Sequence, residues 1–341
     1  MKRGAIMKIA FFEIKEGEEE HIRDNLKGHE LLFFRETLTA ENADRVADVD
    51  GISVFIYSRV DPEVLGKLRN LKIAATRSTG FDHINLEECE KRGITVCNVP
   101  FYGENTVAEH TFALILSLSR KVHKSYVRTL NDNFSIEGLE GFDLKGKTIG
   151  VVGCGHIGLH VARIAKGFGM KVLAFDLHRD EFLSEVIGFD YATMDDIFTK
   201  SDIISLHVPY NKYTHHLVNE ESFKKMKPAA IIVNTSRGGV IDTDALLKAL
   251  LDKKIAGAGL DVIEGEELIK EEKELLHKEE TNERLIQVMK DLKILHNENV
   301  VFTPHNAFNS QEALMRILNT SIQNLIVFEQ KKPENLVKLH K

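Results

Sequence analysis

Residues 147–176 constrain this chain more than any other stretch. An apolar run, Ile149-Gly150-Val151-Val152, leads into Gly153-Cys154-Gly155-His156-Ile157-Gly158, and an amphipathic segment then leads to Val172-Leu173-Ala174-Phe175-Asp176. The two apolar runs have the length and make-up of buried parallel strands. Between them Ile157, Val161, Ile164, Ala165 and Phe168 recur at i, i+4, i+7, i+8 and i+11, one face of a helix that Gly169 ends. In such a unit each glycine has its own task. Gly153 makes the tight turn, Gly155 lets the backbone approach a pyrophosphate, and Gly158 lets the helix pack closely on the strand. Free N–H groups and the dipole at the helix N-terminus favour phosphate there. Asp176, about 20 residues on, is placed to accept hydrogen bonds from the adenosine ribose of NAD and to repel the 2′-phosphate of NADP. Arg179 is the neighbour that could pair with such a phosphate, if the loop turned back.

The rest of the composition narrows the class. At 341 residues there is chain enough for about two domains, each with a sizeable core. A formal charge of −7 with scattered basic residues argues against a nucleic-acid partner. Cys89, Cys97 and Cys154 form no C-x-x-C pair, so they read as reduced thiols, with neither a disulfide frame nor a metal site expected. Lys8 interrupts the first apolar stretch too soon for a secretory segment, and Met7 offers an alternative start. The longest apolar run elsewhere, residues 112–118, is far short of the ~20 residues a membrane span needs. The expectation is a soluble, cytoplasmic protein without a membrane partner.

Taken in order, residues 8–12, 30–33, 52–57, 71–76 and 94–97 are apolar runs of strand length with helical stretches between several of them. Asp61-Pro62-Glu63 opens one helix and Asn85 another, which Gly93 closes. Alternating strands and helices imply a parallel, doubly wound sheet. This first region lacks the glycine fingerprint, so it is expected to hold substrate and not cofactor. Residues 105–128 read as one long helix that forms the first of two connections. The second falls near Thr303-Pro304, after which residues 311–328 form an amphipathic helix with no later strand to pair with. The predicted architecture is α/β: two doubly wound parallel-sheet domains with a cleft between them. A discontinuous substrate domain (1–105 and 304–341) of flavodoxin-like type accompanies a Rossmann dinucleotide-binding domain (106–303). Within the latter, residues 202–208, 230–234, 255–260 and 300–303 are candidate strands, and Thr243-Asp244 caps a helix. The highly charged stretch 268–299 reads as a solvated helical excursion.

Ligands of open α/β sheets bind beyond the carboxyl ends of the strands. Four strand ends here carry polar residues that a structural loop does not require: Arg77-Ser78-Thr79-Gly80, Thr235-Ser236-Arg237-Gly238-Gly239, Asp261 with Glu264 and Glu266, and Pro304-His305-Asn306. An arginine, a carboxylate and a histidine beside a nicotinamide suit reduction of a 2-keto acid. The guanidinium fork matches a carboxylate. Histidine titrates near neutral pH and can deliver and recover the alcohol proton, and a neighbouring carboxylate keeps its acid form available.

On these motifs, with Ser205-Leu206-His207-Val208-Pro209, Gly259-Leu260-Asp261-Val262 and Thr303-Pro304-His305-Asn306-Ala307, the chain resembles the D-isomer-specific 2-hydroxyacid dehydrogenase family. Its nearest likeness there is to the branch that interconverts pyruvate and D-lactate with NAD. The resemblance implies that Arg237 binds the substrate carboxylate and His305 is the proton donor and acceptor. The catalytic glutamate lies five residues after the aspartate of Gly259-Leu260-Asp261-Val262, which selects Glu266 and leaves Glu264 as a loop residue. Asp261 resembles the aspartate near the nicotinamide. His156, Ile157, Val208, Pro209, Thr214, Thr235 and Ser236 match positions lining the cofactor, beside Gly153, Gly155, Gly158 and Asp176. Ser78, Thr79 and Gly80 match a loop whose N–H groups hold the substrate carboxylate, and Tyr102 matches a tyrosine that reaches the substrate. Gly103-Glu104 stands where relatives have serine-proline, and Asn309 where they often have tyrosine. Both departures bear on which keto acid fits, so a bulkier one such as 2-ketoisocaproate or phenylpyruvate remains the alternative, with a non-catalytic NAD-sensing scaffold behind it. The family's habit implies a homodimer.

Overall fold

Short, fully apolar strands arranged in parallel need both faces covered, and the computed structural model builds two such sheets. Residues 6–265 and 282–338 are described. The chain divides into two units, Met1–Tyr102 with Ser310–Lys341, and Gly103–Asn309.

In the smaller unit, strands β1 (Lys8–Phe11), β2 (Glu30–Phe33), β3 (Gly51–Val54), β4 (Ile73–Thr76) and β5 (Thr95–Cys97) lie in the order β2-β1-β3-β4-β5. That is the flavodoxin-type winding, with a switch point between β1 and β3. β3 and β4 are buried along their whole length. One face packs Ile52, Val54, Ala74 and Val96 against Val64, Leu65 and Leu68; the other packs Ile9, Phe11 and Ile73 against Leu318, Ile322 and Leu325. The last three recur at i, i+4 and i+7 along the helix Gln311–Glu329, so the C-terminal helix completes the core of the N-terminal sheet. Beyond it the chain does pair: Leu336 makes an antiparallel bridge with Cys97, where no strand was expected.

The second unit strings β6 (Thr148–Val152), β7 (Lys171–Phe175), β8 (Asp190–Tyr191), β9 (Ile203–Leu206), β10 (Ile231–Asn234), β11 (Gly257–Leu260) and β12 (Val300–Phe302) in the order β12-β11-β10-β9-β6-β7-β8. This is the dinucleotide-binding order 3-2-1-4-5-6 with a seventh strand on one edge, reversing between β6 and β9. The helix His156–Gly167 follows β6 and ends where Gly169 takes a left-handed φ of 72°.

Two local expectations are corrected. Residues 105–128 are not one helix: Glu104–Ser119 stops, Lys121 adopts φ 51°, and Val122–Leu130 begins anew. The returning chain causes the break, because Phe142 donates its N–H to the Ser119 carbonyl at 2.9 Å and so takes an acceptor of the last turn. The cap of the helix Thr243–Leu251 is Asp242, one residue earlier than expected, accepting from the Ala245 N–H. Of the charged stretch 268–299, residues 268–281 lie outside the described residues, and Asn282–Leu295 is a helix. Among the described residues no helix is long and apolar enough to cross a membrane.

That helix carries a buried acid. Asp291 is fully buried; its Oδ1 accepts from Gln287 at 2.9 Å, whereas Oδ2 has no partner among the described residues. Burial pushes its carboxyl up to about 7, with the charge of Glu264 adding to the rise against the Gln287 hydrogen bond. A carboxyl raised on folding weakens the fold as pH climbs from its unfolded value near ~4 to its folded one. Asp291→Asn is therefore expected to stabilise the protein at pH 8 by roughly 2–4 kcal/mol, with the gain shrinking towards pH 4.5. Urea unfolding of both proteins at the two pH values checks this; an equal gain at both would contradict it.

Candidate active site

Strand register arranges the larger unit's candidate residues. Phe175 pairs with Val152, Val152 with Leu206, Leu206 with Asn234, Asn234 with Leu260 and Leu260 with Phe302. These six residues form one row across the carboxyl ends of six parallel strands. Immediately past it come Asp176, Gly153, His207-Val208-Pro209, Thr235-Ser236-Arg237, Asp261 and Thr303-Pro304-His305. Parallel strands are ~4.8 Å apart, so Arg237, Asp261 and His305 follow strands at roughly 10, 14 and 19 Å from β6.

At the β6 end the turn is fixed by close approach. Gly153 has φ 93°, and a Cβ on Gly158 would stand 2.0 Å from the Gly153 carbonyl oxygen, so neither position accepts a side chain. A Cβ on Gly155, by contrast, would meet nothing within 4 Å: that backbone faces open space. His156 and Ile157 open the helix, Gly155 is its N-cap, and no side chain caps it. A helix start with no side-chain cap, and the positive end of its dipole, suit an anion. Asp176 pins the turn, Oδ2 accepting the Cys154 N–H at 2.6 Å and Oδ1 the His178 N–H at 2.8 Å. Each carboxylate oxygen keeps further acceptor capacity. Arg179 lies over the Tyr191 ring at 5.5 Å. Burial, with Asp176 nearby, pushes the Cys154 thiol up to about 12, so it stays protonated.

Beyond β9, His207 bonds Ser205 at 2.8 Å, and burial drives its imidazole down to about 3, a neutral structural group. Thr214 ties this loop by donating to the Pro209 carbonyl at 2.6 Å. Beyond β10, Asn234 folds the next loop: Oδ1 accepts the Ser236 N–H and hydroxyl, and Nδ2 donates to the Arg237 carbonyl. Thr235 meets Thr111 at 3.1 Å. Arg237 is half-buried and donates to the Ser236 carbonyl at 2.7 Å, and no carboxylate pairs with it among the described residues.

Asp261 organises the histidine turn. It is 1% exposed, and Oδ1 accepts from the Thr303 hydroxyl (2.5 Å) and the Asn306 N–H (2.9 Å), Oδ2 from the Ala307 N–H (2.9 Å). Its carbonyl receives the His305 N–H at 2.8 Å. His305 is thereby held with φ 52°. The described contacts make Asp261 the anchor of residues 303–307, a task its spacing did not announce. His110 joins the network at 2.9 Å from the Thr303 hydroxyl; burial lowers its pKa while the Asp261 charge opposes the shift. Glu266 lies outside the described residues. Glu264, two residues earlier, accepts from His216 (2.9 Å) and Thr243 (3.1 Å).

In the smaller unit the loop after β4 is knit by its own side chains. Ser78 donates to the Gly80 carbonyl at 2.5 Å, and Thr79 to the Val99 carbonyl at 2.8 Å. Among the described residues, none of the N–H groups of Ser78, Thr79 and Gly80 finds an acceptor. Successive free N–H groups make an anion-binding concavity. Arg77, expected from the sequence to be more than structural, is instead buried beside them and braces the fold, donating to the carbonyls of Phe12, Glu13 and Ser53. The Tyr102 carbonyl is held by Arg316 at 2.5 Å.

The sequence model of the family described as D-isomer specific 2-hydroxyacid dehydrogenase, NAD binding domain, matches residues 112–307. The chain belongs to that family. It is 38% identical to the D-lactate dehydrogenase of Escherichia coli K12 over 95% of this chain and 97% of that protein. Among solved structures it resembles the D-lactate dehydrogenase of Aquifex aeolicus complexed with NAD and lactic acid, at TM-score 0.85, 36% identity, and coverage of 98% and 100%. A D-2-hydroxyisocaproate dehydrogenase aligns at TM-score 0.83, 29% identity, and coverage of 97% and 99%. As a 2-hydroxyacid dehydrogenase the protein is an NAD-dependent oxidoreductase. The open backbone at Gly155, the uncapped helix start and the acceptor at Asp176 fit that dinucleotide.

Removing the Asp261 carboxylate would leave the N–H groups of Asn306 and Ala307 without it. Asp261→Ala is expected to cost about 2–5 kcal/mol in urea unfolding and to speed hydrogen exchange at those two amides. Unchanged exchange there would contradict the anchoring.

Proposed function

We propose that the protein interconverts pyruvate and D-lactate with NAD. The observation that carries this reading is the strand row. Arg237 follows β10 and His305 follows β12, with β11 between these strands, and in the sequence Glu266 comes five residues after Asp261. The similarity to D-lactate dehydrogenases of Escherichia coli and Aquifex aeolicus supports the choice of acid.

The bound dinucleotide supplies the hydride. Gly153, Gly155 and Gly158 shape its phosphate site, Asp176 accepts from the adenosine ribose, and His156, Ile157, Val208, Pro209, Thr214, Thr235, Ser236 and Asp261 line or brace the rest. Arg237 grips the substrate carboxylate through its planar fork and draws charge from the neighbouring carbonyl. His305 Nε2 or Nδ1 hands a proton to the carbonyl oxygen in reduction and recovers it in oxidation, with Glu266 keeping the imidazolium form accessible. Ser78, Thr79 and Gly80 bind the carboxylate through backbone N–H groups, and Tyr102 bounds the side-chain end.

The D-2-hydroxyisocaproate dehydrogenase likeness, with Gly103-Glu104 and Asn309 in place of the usual residues, favours a second reading in which a bulkier keto acid is preferred. NADH oxidation across pyruvate, 2-ketobutyrate, 2-ketoisocaproate and phenylpyruvate separates the two. The proposal expects the highest kcat/KM with pyruvate; a maximum at a longer side chain selects the second reading, and turnover of none contradicts both. His305→Ala is expected to lower kcat by at least ~10² with NADH affinity nearly intact; a mild loss of rate would remove the histidine from proton transfer.

A homodimer in the cytoplasm is part of the proposal. The helix Val122–Leu130 buries none of its residues and exposes Val122, Tyr126, Val127 and Leu130 on one face, with Phe134 and Ile136 exposed just beyond. Such an apolar surface suits a second copy of the chain. Tyr126→Glu with Leu130→Glu is expected to halve the mass seen by sedimentation equilibrium; an unchanged mass would contradict this face.

A further inference from the structure

We propose that His215, His216 and Glu264 bind a divalent transition-metal ion of the zinc class on the nucleotide-binding unit. Each residue offers one donor atom, and the three atoms lie within 4.8 Å of one another. One edge of the site already has ligand spacing, with His216 Nε2 at 2.9 Å from Glu264 Oε1. A tetrahedral zinc ion with ligand bonds of ~2.0–2.1 Å sets its donors roughly 3.3 Å apart. A side-chain adjustment of about 1.5 Å therefore completes the set.

Local backbone geometry makes the cluster possible. His216 takes φ 48°, its N–H bonded to the Gly239 carbonyl at 2.9 Å. This left-handed residue lets two successive imidazoles lie on one side of the chain, their centroids 3.8 Å apart and their planes 24° from parallel. In an extended chain, neighbours point to opposite sides.

Side chains around a held ion orient its ligands, and His215 and Glu264 have hydrogen-bonded neighbours of this kind, with a carboxylate near His216. The Tyr210 hydroxyl lies 3.0 Å from His215 Nδ1, and an Asp242 carboxylate oxygen lies 3.9 Å from His216 Nδ1. Thr243 donates its hydroxyl to the second oxygen of Glu264 at 3.1 Å. Two imidazoles and a carboxylate select zinc, nickel or copper over magnesium or calcium, which prefer all-oxygen sets. His215 is exposed while His216 and Glu264 are half-buried, so an ion has a path in and keeps a coordination position for water. The ion would bridge the segment after β9 to the one after β11. Adjacent histidines with a glutamate far along the chain match no spacing motif, so only the fold brings the set together.

Titration of EDTA-treated, tag-free protein with ZnCl2 by calorimetry, and with CoCl2 by visible absorption, tests the site without reference to turnover. One saturable site per chain is expected, with a d–d spectrum for cobalt that zinc abolishes. His215→Ala and Glu264→Gln should each weaken zinc at least ~100-fold, and Tyr210→Phe by ~10-fold. His215 is exposed, so its variant keeps the fold, checked by unchanged circular dichroism. Absence of a saturable site, or zinc affinity unchanged in His215→Ala, overturns the proposal.

Discussion

Parallel hydrogen-bond register in the larger sheet sets where its loops begin. Because Phe175, Val152, Leu206, Asn234, Leu260 and Phe302 share one row, six loops start level with one another. A slip of one residue in any strand would turn its buried side chains to the opposite face and shift its loop by about 3.3 Å. Close packing on both faces opposes that: β9 and β10 are buried throughout, and Ile203, Ile231 and Val233 fit one core cluster while Ile204, Leu206 and Ile232 fit the other. The same two-sided packing that stabilises the sheet thus sets where the chemistry-bearing residues stand.

Register brings the loops level, and polar side chains, two of them buried, then fix their conformation. Asp176 holds the glycine turn, Asn234 folds the arginine loop, and Asp261 holds the histidine turn, each through side-chain oxygens that accept backbone N–H groups. The bonds to the two aspartates are charge-assisted and stronger than neutral ones, and where an acceptor is buried its loss leaves donors unsatisfied. Holding His305 in a left-handed conformation requires such a network.

Much of this was legible in the sequence because the informative signals are local. The glycine turn sits between a strand and a helix whose periodicities differ, and that contrast reads directly from residues 147–176. Membership of the 2-hydroxyacid dehydrogenase family followed from motifs at five strand ends. What escaped depends on contacts distant in the chain. Asp261 meets Thr303, Asn306 and Ala307 across 42 to 46 residues, so spacing gave no hint that its carboxylate braces that turn. The helix break at Lys121 depends on Phe142 returning to Ser119, which no periodicity within residues 105–128 encodes. The cluster of His215, His216 and Glu264 depends on a left-handed backbone at one histidine and on the adjacency of two loops.

A dinucleotide lying along the carboxyl edge would bring its adenosine ribose to Asp176. Dissociation constants of NADH and NADPH, measured side by side by fluorescence at low ionic strength, report on that carboxylate. A 2′-phosphate against that carboxylate is a like-charge contact, so NADH should bind more tightly by at least ~10-fold. Equal affinity, or tighter binding of NADPH, would contradict the placement.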